Sequence, residues 1–417
     1  MKSQQHVGFV TKCQICSHKN LDLVLPLGHQ LPVSSYLTEK QLHEAEMTYP
    51  LNLCRCSKCG LLQLDYIIDP NIAFPFKYPY RSGLTNMLVR NFRSLAELLI
   101  KKYDLTSKDL VIDIGSNDGT LLQGFKEKGM RVVGIEPTDA ADAANENGIP
   151  TVQDFINKKT VEKITKKYGK AKIVTSTNAF AHINNMPELM RNIKNLMAED
   201  GVFVSESQYL MSIVEKLEFD TIYHDHLRYY SLKPLEYLFN SFGCSLVDAE
   251  RISAAGGSIR VFAMKGKREQ SKRVKELIKQ EEKLGIYEAK FWKKFRKQVM
   301  EAKNDLLTLL LQCKKKGGRI VGLTSSARSN TLLGFTGVNN QLLDYICEKG
   351  RSPKIGLFTP GTHIPVVDEK KLTKDQPDYI LVLSWHIGEE LMKIMRKLGY
   401  KGKFIIPLPK PKIVGIK

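Results

Sequence analysis

The chain has 417 residues, 42% of them hydrophobic, enough for two to four packed domains. Its formal net charge of +19 disfavours basic partners and leaves nucleic acid, an anionic membrane surface or a small phosphorylated metabolite. It has no apolar run of about 18 residues, so no membrane-spanning helix and no membrane partner are expected. The stretch Met1 to His6 carries no apolar signal segment, so a cytoplasmic location is expected. The lysines are scattered, and their denser runs at 265–279 and 289–304 include glutamates and read as solvated helix faces. The charge therefore favours a small anionic substrate over nucleic acid.

Five of the eight cysteines precede residue 60. They include Cys13-x-x-Cys16 and Cys56-x-x-Cys59-Gly60, two knuckles whose four thiolates suit a closed tetrahedral Zn²⁺ site. A site with four cysteine ligands has no open position, so the metal is expected to be structural. Gly60 lets the backbone turn after the second knuckle, and Cys54 reads as spare. Residues 71–83 form a Pro- and Tyr-rich connector in which Pro75 and Pro79 exclude a helix. Tyr78 and Tyr80 either pack on the domain behind them or carry phenol hydroxyls to a site. A long amphipathic helix is predicted over Leu84 to Tyr103.

Residues 111–119 predict a buried strand, a glycine turn and a helix opening at Thr120. Asp113 stands at the strand's carboxyl end, where open α/β sheets bind ligands, and a second strand over Arg131 to Ile135 ends in Glu136. The glycine spacing is not G-x-G-x-x-G. An acid before the turn and another closing the next strand is the pattern of class I S-adenosylmethionine (SAM) methyltransferases, in which Glu136 holds the ribose. Asp113 either joins it or anchors the glycine turn. Further strands are predicted at 149–152, 172–176 and 202–207, a βαβα rhythm that means a parallel sheet covered by helices. The strand 172–176 ends in Asn178-Ala179-Phe180-Ala181-His182, and Glu206 closes the next.

The stretch Tyr223-His224-Asp225-His226-Leu227-Arg228-Tyr229-Tyr230-Ser231 packs two histidines, an acid and three tyrosines into nine residues. Alternation places both imidazoles on one side only if the segment is extended, and no third ligand suggests a metal. An acid–base cluster fits better. Segments 241–247 and 256–263 predict a hairpin closing the sheet, and 265–316 a charged connector helix or helical hairpin holding Phe291, Trp292 and Phe295. A second α/β unit follows. It has a strand over 319–323, a hydroxyl-rich loop Thr324-Ser325-Ser326-Ala327-Arg328-Ser329-Asn330, a helix from Thr331, and strands at 380–383 and 403–406. Such a loop can hold phosphate through its amides, with Arg328 adding a cation.

Taken in order, these motifs resemble the SAM-dependent C-methyltransferases of nucleotide-linked deoxysugars. The match covers nearly the whole chain: the two cysteine pairs, Asp113 to Gly119, Glu136, Asn178 to His182, Tyr223 to Tyr230 and Thr359-Pro-Gly-Thr-His-Ile-Pro365. The resemblance implies an α/β protein of three domains. A small zinc-binding domain occupies 1–72, a class I (Rossmann-like) methyltransferase core 73–268, and a carboxyl-terminal Rossmann-like α/β substrate domain 269–417. It implies a zinc ion on Cys13, Cys16, Cys56 and Cys59. SAM contacts are implied for Asp113, Gly115, Asn117, Asp118, Glu136, Asp154 and Asn178, and substrate contacts for His224, Ser325, Ser326, Arg328, Asn330 and His363. The implied substrate is a 4-keto nucleotide sugar, acted on by a monomer that binds no nucleic acid. His226 is the expected base, Asp225 and His182 orient or tune it, and Tyr78, Tyr80 and Tyr223 stabilise the enolate oxygen. Three positions depart from the family pattern: Asp225 stands for Glu, the loop 324–331 carries Arg328 for Lys, and His386 follows Trp385 where Asn is usual. Methyl transfer to oxygen or nitrogen of a similar sugar, or a nucleic-acid-binding methyltransferase, are the competing readings.

Overall fold

The computed structural model describes residues 6–78, 80–84 and 86–415. Pro79 and most of the amino-terminal stretch read for a signal segment lie outside them. Among the described residues no helix is long and apolar enough to cross a membrane.

The central sheet has seven strands. From one edge they are Cys244–Ile252, Ser258–Lys265, Met197–Gln208, Ala171–Thr177, Leu110–Ile114, Arg131–Ile135 and Thr151–Val152. The last five pair in parallel, and Ser258–Lys265 runs antiparallel between its neighbours. Chain order therefore reverses between Leu110–Ile114 and Ala171–Thr177, which opens a crevice at their carboxyl ends. The alternation of buried strands with helices such as Asn86–Lys102 and Met186–Leu196 covers both faces.

The amino-terminal module is a four-stranded antiparallel sheet, and its fourth strand is borrowed. Arg228–Tyr229, directly after the histidine cluster, pairs with Leu62–Leu64, followed by Tyr49–Cys56 and Leu21–Gln30. Cys13, Leu53, Leu62, Tyr229, Trp292 and Leu332 all belong to one continuous apolar core, so the three units are welded rather than strung. The carboxyl-terminal sheet has six strands, parallel except for its last, with Ile320–Leu323 near its centre. The charged connector is two helices, Lys272–Leu284 and Ala289–Lys315, and Trp292 and Phe295 are buried.

Three expectations change. The connector around Pro75 is flanked by one helical turn, Pro70–Ala73, which tolerates Pro at its first position, and a 3₁₀ turn, Ser82–Leu84. The helix expected from Thr331 begins at Ala327, because Ser326 caps it by accepting from the Ser329 amide. Arg328 and Asn330 are thus helix residues. The segment around His224 is a turn, not a strand: the His226 amide donates to the Tyr223 carbonyl at 3.0 Å. Alternation fails there, and the two histidines face apart.

Candidate active site

A cavity of about 920 Å³ lies at the crevice of the central sheet, where all three units meet. Its size is at the upper end of small-ligand clefts, about 300–1,000 Å³, and leaves room for two ligands side by side.

One end is the glycine turn. Gly115 has φ +74°, and a Cβ there would stand 2.5 Å from the Ala179 Cβ, so only glycine lets these two strand ends approach. Asn117, also left-handed at φ +50°, donates its amide to the Glu136 carboxylate at 3.0 Å. The Thr138 amide and hydroxyl hold the other oxygen at 3.0 and 2.6 Å. Glu136 is 6% exposed, lines the cavity, and with three donors engaged keeps acceptor capacity on its carboxylate for a ribose hydroxyl. Asp154 and Asn178 lie on the same wall. This donor and acceptor set fits the nucleoside half of SAM.

The middle of the cavity holds the acid–base cluster. His226 Nδ1 lies 3.0 Å from the Thr221 carbonyl, so in the neutral ring Nδ1 carries the proton and Nε2 holds the free lone pair. Burial lowers its pKa, and the nearby Arg328 charge adds to that against the Thr221 carbonyl, for a value of about 4. The ring packs against Tyr223 with 4.1 Å between centroids and stacks on His182 at 4.9 Å; His182 in turn stacks on Phe74 at 5.5 Å. Burial also takes the His182 pKa well below its ordinary value, and keeps the phenols of Tyr223 and Tyr78 protonated. Asp225 is 3% exposed, its Oδ1 has no hydrogen-bond partner among the described residues, and burial lifts its pKa to about 7. Asp225 was expected to orient His226; the Thr221 carbonyl occupies Nδ1 instead. Tyr80, 42% exposed, stands at the mouth.

The far end belongs to the carboxyl-terminal unit. Ser325, Ser326 and Arg328 line it, but the Arg328 guanidinium is already held by Asp220, with Nε to Oδ2 at 3.1 Å and Nη2 to Oδ1 at 2.9 Å. Asp220 also accepts from the Trp385 indole at 2.9 Å. The arginine is a strut between the segment that precedes the histidine cluster and this unit rather than a free cation.

Five expected residues lie off the cavity's walls. Asp113 accepts from the Thr175 hydroxyl at 2.6 Å and anchors the strand end. Asp118 caps Thr120 and accepts from the Gly83 amide at 2.8 Å. His224 points to the Pro50 carbonyl, 3.2 Å away in the zinc module. Asn330 donates to the Val33 carbonyl at 2.7 Å, and His363 pairs with Glu46 at 2.6 Å. Sequence reasoning missed the segment Glu348 to Lys354, whose Lys349, Arg351 and Lys354 line the far end. Its signal was legible: three cations around a Gly and a Pro after a short strand. It also missed Tyr36, whose hydroxyl meets Ser325 Oγ at 2.9 Å across 289 positions of sequence, a contact no local pattern announces.

In the amino-terminal module, the sulfurs of Cys13, Cys16, Cys56 and Cys59 all lie within 4.8 Å of one another, and the pairs Cys13–Cys59 and Cys16–Cys56 are 3.5 Å apart. A tetrahedral zinc with Zn–S bonds of about 2.3 Å needs sulfurs about 3.8 Å apart, so the four residues fit the ion. Cys54 is buried elsewhere in its strand and is no member of the cluster.

Three family models match this chain in the same order: "Putative zinc binding domain" over residues 13–74, "Methyltransferase domain" over 86–249 and "C-methyltransferase C-terminal domain" over 253–409. The C-methyltransferase NovU of Streptomyces niveus is 29% identical over 415 residues, covering 99% of this chain and 98% of its own. The chain is thus similar to C-methyltransferases along nearly its whole length. This C-methyltransferase is SAM-dependent and carries its zinc in the four-cysteine module. Solved methyltransferases are similar over less than half of the chain. The 1,6-didemethyltoxoflavin-N1-methyltransferase of Burkholderia thailandensis is 18% identical, covers 42% of this chain and 78% of its own, and has a TM-score of 0.32. The magnesium protoporphyrin IX methyltransferase of Synechocystis is 14% identical, covers 43% and 79%, and also has a TM-score of 0.32.

Proposed function

We propose that this C-methyltransferase alkylates a ring carbon beside the ketone of a 4-keto nucleotide-linked deoxysugar. The observation that carries the reading is a neutral imidazole and two protonated phenols converging in the middle of one cavity. A nucleoside-type acceptor lies at one end and cations at the other. Bound SAM supplies an electrophilic methyl group. His226 Nε2 takes the proton from the carbon next to the ketone. Tyr223 and Tyr78 donate to the enolate oxygen as charge develops there, the kind of interaction that usually lowers such barriers most. His182 and Phe74 clamp the imidazole by stacking. Lys349 and Arg351, exposed at the far end, receive the diphosphate, with Ser325 and Ser326 near the nucleotide. The protein works as a cytoplasmic monomer.

A second reading has Asp225 as the base. Its orphaned Oδ1 and raised pKa favour it, since a base that titrates near the working pH is efficient. Mass spectrometry of reactions with SAM and a panel of 4-keto nucleotide sugars tests the substrate class. A product heavier by one methyl, with the label on carbon, is expected; methylation only at oxygen or nitrogen would overturn it.

A further inference from the structure

Arg228 is a buried cation with no counter-charge among the described residues. It is 2% exposed, and among the described residues its guanidinium meets only neutral acceptors. These are the Tyr230 hydroxyl at 3.1 Å, Gln14 Oε1 at 2.6 Å, the Phe180 carbonyl at 3.4 Å and the Ile183 carbonyl. Burying an unpaired charge is unfavourable, so a residue of this kind is a functional candidate rather than a cheap way to fill space.

Its partners lie in two places. The carbonyls of Phe180 and Ile183 bracket His182, whose ring sits between Phe74 and His226. Gln14 lies inside the Cys13-x-x-Cys16 knuckle. It is itself fixed there, its amide donating to Gln63 Oε1 at 2.8 Å and its side chain to the Leu64 carbonyl at 3.2 Å. Arg228 is also the strand partner of Gln63 in the zinc module's sheet. A planar fork with five donors spans these directions at once; an ammonium does not hold them in one plane.

We propose that Arg228 is a positioning residue that transmits the seating of the zinc knuckle, through Gln14, to the turn carrying His182, and so aligns His182 against His226. The zinc module then sets the geometry of the reaction centre as well as completing a small fold. The inference rests on the reading of this cavity as the site of methyl transfer.

The test uses the full-length zinc-loaded enzyme with Gln14→Ala, which leaves Arg228 and all four cysteines in place. Four readouts are taken together: zinc content, SAM affinity, the kcat and KM of methyl transfer, and the ring signals of histidine-labelled protein by NMR. Misplacing a reacting group by about 1 Å costs on the order of 100-fold. The expected result is therefore a fall in kcat of about 10- to 100-fold, with a displaced His182 signal. KM, SAM affinity and zinc content stay at wild-type values. Gln14→Glu, which keeps an acceptor oxygen for Arg228, restores most of the turnover and the His182 signal. An unchanged kcat in Gln14→Ala overturns the proposal. So does a loss of kcat that comes with lost zinc or weakened SAM binding while the His182 signal stays in place. If the wild type itself methylates no 4-keto sugar, the functional reading fails instead, and the histidine signals still report the contact.

Discussion

Lowering the pH separates the two bases that the cavity offers. His226 is held neutral by burial down to about 4, whereas Asp225 is held protonated up to about 7. A base works only when deprotonated, so activity is lost as pH falls through the pKa of whichever group acts. At about pH 5.5 a group with pKa about 4 is still about 97% free base, and one with pKa about 7 is about 3% ionised, a difference of about 30-fold. The assay is the rate at which solvent deuterium enters the carbon beside the ketone, measured across pH in the presence of saturating substrate and S-adenosylhomocysteine.

Acid unfolding is the competing cause, and its sign can be worked out. His226 and His224 have depressed pKa values, so the stability they contribute is complete above about 6.5 and is lost as pH falls from there to about 4. Each shift is worth about 3 kcal/mol at most. Asp225 and Asp113, both raised to about 7, act in the opposite direction: they weaken the fold as pH rises from about 4 to 7. His182 and His386, also depressed, and Glu218 and Glu281, also raised to about 7, divide between the same two opposing sets, so melting should change little between about pH 7 and 5. Exchange that persists at about pH 5.5 supports His226. A thirty-fold loss there, with melting unchanged, refutes the assignment and selects Asp225.

Metal analysis should find one zinc per chain, lost in Cys13→Ser and retained in Cys54→Ser; retention in the first with loss in the second contradicts the ligand set. Glu136→Ala removes a charged acceptor worth roughly 1.5–3 kcal/mol, so calorimetry should show SAM binding about 10- to 100-fold weaker, and unchanged affinity moves the ribose elsewhere. Arg328→Ala leaves Asp220, 0% exposed, as an unpaired buried carboxylate. Denaturant unfolding should lose roughly 3–5 kcal/mol, and a stability loss below about 1 kcal/mol means that the strut is not holding the unit.

Local chemistry explains why so much of this was legible in the sequence. The knuckle cysteines, the turn at Gly115 and the acid at Glu136 work through near neighbours, so spacing alone exposes them. Tyr223, Asp225 and His226 stood out as unusual residue types crowded into nine positions, and His182 by its place just past a strand's carboxyl end. What escaped depends on contacts made across the fold. One hydrogen bond, donated by the His226 amide to the Tyr223 carbonyl, makes a turn of the presumed strand and sends His224 to Pro50, away from the cavity. Arg328 reads as a free cation until Asp220, 108 positions away, is placed beside it. His363 looks like a substrate ligand in its motif, yet it closes against Glu46 of the zinc module. The borrowed strand Arg228–Tyr229 has no sequence signature, because its two residues gain their register only from Leu62 and Gln63.

The central claim is that this cavity makes an enolate with His226 as its base. Its most direct test is wash-in of solvent deuterium beside the ketone of the substrate, with S-adenosylhomocysteine bound, in wild type and His226→Asn. Loss of general-base help typically costs about 10² to 10⁴. The account predicts that His226→Asn slows wash-in by that factor while S-adenosylhomocysteine affinity holds and His224→Asn stays near wild type. Equal wash-in for His226→Asn and wild type contradicts it.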